Sequence, residues 1–125
     1  MHSTQQPTVP ALDYERLDRL HGGSRSQIIG VLHLFLDEVM PDFEPLAEAV
    51  KQQQWSEVAD VAHKIVPWMG MAGLTSLENE LRDLEIGAKT NPNPEGLTNQ
   101  WLRFRASLDQ AVSLLRAELE RMSNV

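Results

Sequence analysis

His63 is the residue whose type and surroundings point most directly to chemistry. A neutral imidazole is both a nucleophile and a proton carrier, and its reference pKa of ~6.5 leaves it largely neutral near pH 7. The apolar residues Trp55, Val58, Ala62, Ile65, Met69 and Ala72 surround it in the sequence at helical spacing. At 100° per residue, the His63 side chain points about 130° from the centre of that stripe and so faces outward. Its helical neighbours at three, four and seven residues are Ser56, Ala59, Asp60, Val66, Pro67 and Gly70. An outward face usually carries long charged side chains. This one is mostly small or apolar, which leaves room for another protein to dock. The bland alternative is an ordinary surface histidine on a helix kinked by Pro67.

The groups that could serve His63 follow from a hairpin. A second apolar series begins at Leu74, so the chain turns around Gly73 and Leu74. Antiparallel pairing about that turn sets His63 level with Glu85 and Val66 level with Arg82. Glu85 could then hold one imidazole nitrogen. Lys64 and Arg82 are the nearest cations that could balance a phosphoryl group. Arg82 and Glu85 also lie three apart on one helix and can simply pair with each other. The other histidines offer less. His2 lies in a loose lead-in, His21 precedes a Gly-Gly break, and His33 borders an apolar stripe. His33 and Asp37, one turn apart, make two metal ligands without a visible third, so no metal site is expected.

Composition excludes much else. The chain has 125 residues, 42% hydrophobic and 23% charged, which suits one globular domain. There is no cysteine, so thiolate chemistry, disulfides and sulfur-ligated metals are out. Eleven basic against eighteen acidic residues give a net charge of −7, unsuited to holding nucleic acid or an anionic membrane. Neither a G-x-x-x-x-G-K loop nor a G-x-G-x-x-G turn is present, so no nucleotide site is expected. The longest mostly apolar stretch, Ile28 to Leu36, is far short of the ~20 residues that span a bilayer. The opening MHSTQQPTVP lacks the pattern of a secretory signal, which makes the cytoplasm the expected compartment.

The elements that must position His63 are helical throughout. Four apolar series advance by three or four residues: Ile28 to Val50, Trp55 to Ala72, Leu74 to Ala88, and Leu97 to Met122. They predict an all-α fold, an antiparallel up-and-down four-helix bundle. Leu12 to Leu20 reads as a short capping helix. Residues 1–10 read as a flexible segment and 11–125 as the domain. Pro41 and Pro45 fall inside the first series without breaking its phase, which predicts one kinked helix. Ser24 is its expected N-cap.

These residues together resemble the histidine-containing phosphotransfer (Hpt) domains of multistep two-component phosphorelays. The resemblance rests on Ala62-His63-Lys64-Ile65, Gly70, Gly73-Leu74, Leu77, and Leu81 through Leu84-Glu85. Leu12 to Leu17 and Phe35 to Glu38 are similar to the family's first helix and to the start of its second. The likeness covers roughly residues 11 to 120. It implies that His63 accepts a phosphoryl group from a receiver aspartate and passes it to another. The partners implied are receiver domains of response regulators or of a hybrid sensor histidine kinase, whose C-terminal domain this chain would resemble. The Mg²⁺ is expected in the receiver, with no cofactor in this chain and no ATP site of its own. A monomer is implied, in contact with neither nucleic acid nor membrane. Family members usually carry lysine three residues after the histidine and glycine at the fourth. Here those positions are Val66 and Pro67. The lysine's role would then fall to Lys64 or Arg82. The alternative is a domain, or a helical adaptor, that docks receivers without carrying phosphate.

Overall fold

The computed structural model describes residues 12–123, which are helical apart from short turns and contain no strand. The expected flexible segment at 1–10 lies outside the described residues. The helices are α1 (Tyr14–His21), α2 (Arg25–Leu34), α3 (Phe43–Lys51), α4 (Trp55–Met71), α5 (Thr75–Thr90) and α6 (Pro94–Ser123). α2 and α3 are parts of one rod. A π turn at Phe35–Val39 and a 3₁₀ turn at Met40–Asp42 join them. The Met40 N–H reaches back five residues to the Phe35 carbonyl, which loosens the helix just ahead of Pro41. Pro45 falls in the first turn of α3, where a missing N–H costs little. The expected single distorted helix is what forms. Its stripe of Ile28, Leu32, Phe35, Val39, Phe43, Leu46 and Val50 stays buried through the change of winding. Ser24 caps it, accepting the Gln27 N–H at 3.3 Å.

The rod, α4, α5 and α6 bury their apolar series against one another. Fully buried are Ile65, Met69, Leu77, Leu81, Leu84, Phe104, Leu108 and Leu115. Each such Leu, Phe or Met stabilises the bundle by about 1.5–3 kcal/mol. Phe104 of α6 packs at 5.9 Å, centroid to centroid, from both Phe43 and Trp101. Asn93 starts α6 by accepting the Gly96 N–H at 3.2 Å, with Pro94 at the first helical position. Among the described residues no helix is long and apolar enough to cross a membrane.

Two similar turns bracket α4. At 52–54 the Gln54 N–H bonds Ala49 O at 2.9 Å and the Gln53 N–H bonds Val50 O at 3.0 Å. At 72–74 the Leu74 N–H bonds Met69 O at 2.9 Å and the Gly73 N–H bonds Gly70 O at 3.0 Å. Both are Schellman caps with a left-handed residue, Gln53 at φ 56° and Gly73 at φ 75°. Gly73 is obligatory for a second reason. A Cβ there would stand 2.8 Å from Leu17 Cγ of α1. The leading helix therefore packs directly on the α4–α5 turn. The Asp13 N–H donates to Gly73 O at 2.8 Å, and Leu17 is wholly buried. The Tyr14 hydroxyl donates to Glu118 of α6 at 2.6 Å, which ties the cap to the far helix.

Candidate functional site

His63 sits on the outer face of α4, its side chain 77% exposed. Its Nδ1 lies 2.7 Å from Glu85 Oε2 of α5. The antiparallel register required this pairing, because α4 and α5 leave the Gly73 turn side by side. Glu85 itself is only 15% exposed. With Nδ1–H donated to a fixed carboxylate, the Nε2 lone pair points away from the bundle. Pro67 lies within α4, which continues past it to Met71. The ring leaves the His63 carbonyl without its helical N–H donor.

Beside the imidazole is a groove of about 430 Å³. Trp55, Ser56, Ala59, Asp60, His63, Glu85, Ala88, Lys89 and Pro92 line it. It runs from His63 toward the start of α4 and the end of α5.

Three expected docking residues need correcting. Ala59 and Val66 are buried, at 6% and 5% exposure, and Gly70 is buried as well. α4 packs against α5, α3 and the π turn, and Arg16 of the cap lies over Gly70, so its buried face is wider than one stripe. Ala59 still forms part of the groove wall. Val66 belongs to the core, and Gly70 lies beneath the Arg16 guanidinium of α1, which would collide with any Cβ there. Ser56, Asp60 and Pro67 are exposed as expected.

The expected cations also fall differently. Arg82 does not pair with Glu85. It reaches one turn back to Glu78, at 3.4 Å, and is not among the groove residues. Lys64 is exposed, follows His63 in sequence and is likewise not part of the groove wall. Lys89 lines the groove instead. Sequence reasoning missed it, although a signal was there: it stands one helical turn beyond Glu85, level with Ala59 in the same register.

The other end of the α4–α5 face is closed. Glu78, 10% exposed, accepts from Arg16 Nη1 at 2.6 Å and from Arg82. That contact raises the Arg16 pKa further. Asp13, which caps α1, is held below its ordinary value first by the Arg16 backbone N–H and then by the Thr75 hydroxyl. Among the described residues no three His, Asp or Glu side chains converge to hold a metal ion.

An all-α bundle displaying a carboxylate-held, exposed histidine on its surface is a recognisable class of signalling module. The Hpt domain family model matches residues 30–124, and the chain belongs to that family. The match starts within α2 and does not extend to α1. No curated protein and no solved structure matches the chain. Membership implies phosphotransfer in two-component phosphorelays, in company with receiver domains. Hpt domains are phosphocarriers rather than enzymes with their own ATP site.

Proposed function

We propose that this domain carries a phosphoryl group on His63 Nε2 between the aspartates of two receiver domains. The observation that carries the reading is the Glu85–Nδ1 contact beneath an exposed imidazole. In the accepting step the Nε2 lone pair attacks the phosphorus of an aspartyl phosphate. The N–P bond forms, the P–O bond to aspartate breaks, and the carboxylate leaves with its electron pair. Positive charge appears on the imidazole during this step. The Glu85 carboxylate at Nδ1 stabilises it and keeps the ring from turning. The return step reverses these changes on a second aspartate. Phosphoryl transfer asks mainly for positioning and charge neutralisation, which a small bundle supplies with few groups. The receiver would bring its own carboxylates and Mg²⁺. The cytoplasm is the proposed setting and a single copy the proposed unit, whether freestanding or within a hybrid kinase.

A second reading has one observation in its favour. Val66 is buried where the family's lysine usually stands, so no cation reaches out from that position. A domain that docks receivers without accepting phosphate would tolerate this. Transfer from a labelled receiver separates the two. Acid-labile, base-stable label on the wild type and none on His63→Gln is the result expected of a carrier. Binding of the receiver with no label on either chain would establish docking alone.

A further inference from the structure

We infer that Lys89 is the cation that meets the phosphoryl group on His63, replacing from α5 the charge that α4 lacks at Val66; this rests on the reading of His63 as the carrier. Three observations converge on it. Lys89 shares the groove wall with His63. Arg82 is committed to Glu78 at the closed end. Lys64 stands outside the groove wall. Lys89 also follows Glu85 by four residues on α5, so the two project from one face of the helix.

The groove's charges support a division of labour. Its titratable members are Asp60, His63, Glu85 and Lys89. Glu85 is occupied by Nδ1, on the inner side of the ring. Asp60 is one turn before His63 on α4, and its charge would oppose a dianionic phosphoryl group. Lys89 is the one lysine or arginine among the groove residues, and its long stem lets the ammonium swing to where the anion forms. Val66 and Lys89 thus exchange roles relative to the usual pattern. The core takes the position on α4, and the neighbouring helix supplies the charge across the groove.

A structural explanation also exists for Lys89. It lies in the last turn of α5, where any cation favours the helix C-terminus. The test must read the phosphoryl group rather than stability. The full chain is treated with phosphoramidate, a small phosphoryl donor that needs no receiver. The ³¹P signal that is missing in His63→Gln is then followed against pH. Lys89→Ala should raise the midpoint of that titration by about half a pH unit, as loss of one exposed charge pair predicts. Lys89→Arg should keep the wild-type midpoint, and Lys64→Ala should leave it unmoved. Thermal midpoints check that all three variants fold alike. An unchanged midpoint in Lys89→Ala, or an equal shift in Lys64→Ala, overturns the assignment while leaving His63 as the carrier. A wild type that yields no His63-dependent signal and accepts no label from a receiver overturns the carrier reading, and Lys89 with it.

Discussion

Glu78 and Glu85 stand seven residues apart on α5, two turns along the same face. Both side chains are largely buried, at 10% and 15% exposure. Their partners differ. Glu78 is clamped by Arg16, which arrives on the capping helix and lies over Gly70, and by Arg82. Glu85 faces an imidazole that is open to solvent beside a groove. One carboxylate became part of a latch because a second layer of chain covers it and supplies permanent charge. The other became the base of a site because its partner is an imidazole left 77% exposed beside a groove. The difference lies in what packs on top of α4, since the two residues are alike in type and placement on the helix.

The comparison can be broken most strongly at its closed end. Glu78→Ala strips a nearly buried acceptor from two arginines. Both arginines are exposed enough to find water, at 25% and 48%. That limits the loss to about 1.5 kcal/mol, less than the removal of one partner from a fully buried pair. Denaturant unfolding should show this loss, with transfer to His63 unchanged in the folded protein. A slower transfer would mean that the latch and the site are coupled.

The reciprocal change reads the open end. Glu85→Ala should leave stability within about 1 kcal/mol of wild type, since its partner is a surface imidazole. It should slow phosphoryl acceptance about tenfold, because the ring loses both its orientation and its charge partner. Rapid-quench transfer from a phosphorylated receiver measures this directly. Equal rates would show that the 2.7 Å contact does not position the nucleophile.

A smaller effect sharpens the contrast in acid. Asp13 and Glu118 are both held below their ordinary values of 3.8 and 4.5. For Asp13 the Arg16 backbone N–H leads; for Glu118 it is Arg121, followed by the Tyr14 hydroxyl. A lowered folded-state pKa contributes stability that is complete above the unfolded value and is lost as pH falls through the folded one. Both groups secure α1, so the cap should loosen as pH falls below about 4.5. Glu80, raised mainly by burial, works in the opposite sense through the same region. Hydrogen exchange should show α1 amides losing protection before those of α4 and α5, and Glu118→Gln should flatten that loss. Simultaneous loss across the bundle would mean that the cap is not a separate unit.

Much of this was legible residue by residue. The four apolar series map onto the buried faces, Ser24 caps the rod, and the register about Gly73 brings Glu85 to His63. The misplacements share one cause. The angle of a single stripe puts Ala59, Val66 and Gly70 on an outer surface, whereas α4 is covered on more than one side. Register offers Arg82 as a cation for the site and spacing offers Glu85 as its partner, but Glu78, four residues back, takes it and lies beside a second cation from α1. The turn at Gln53 carries neither glycine nor proline to announce it, although its φ of 56° is left-handed.

The sequence by itself determined what short-range geometry can determine. Helical period, cap chemistry and the antiparallel step across one tight turn depend on residues close along the chain, and they specified the bundle, His63 and Glu85. Tertiary structure decided which parts of the α4–α5 face are covered. That outcome depends on where α1 lands, through Leu17 on Gly73 and Arg16 on Gly70 and Glu78, contacts that span more than fifty residues. It left the end holding His63 and Lys89 open and closed the end holding Gly70 and Glu78, because burial is a property of the assembled surface and of no single helix.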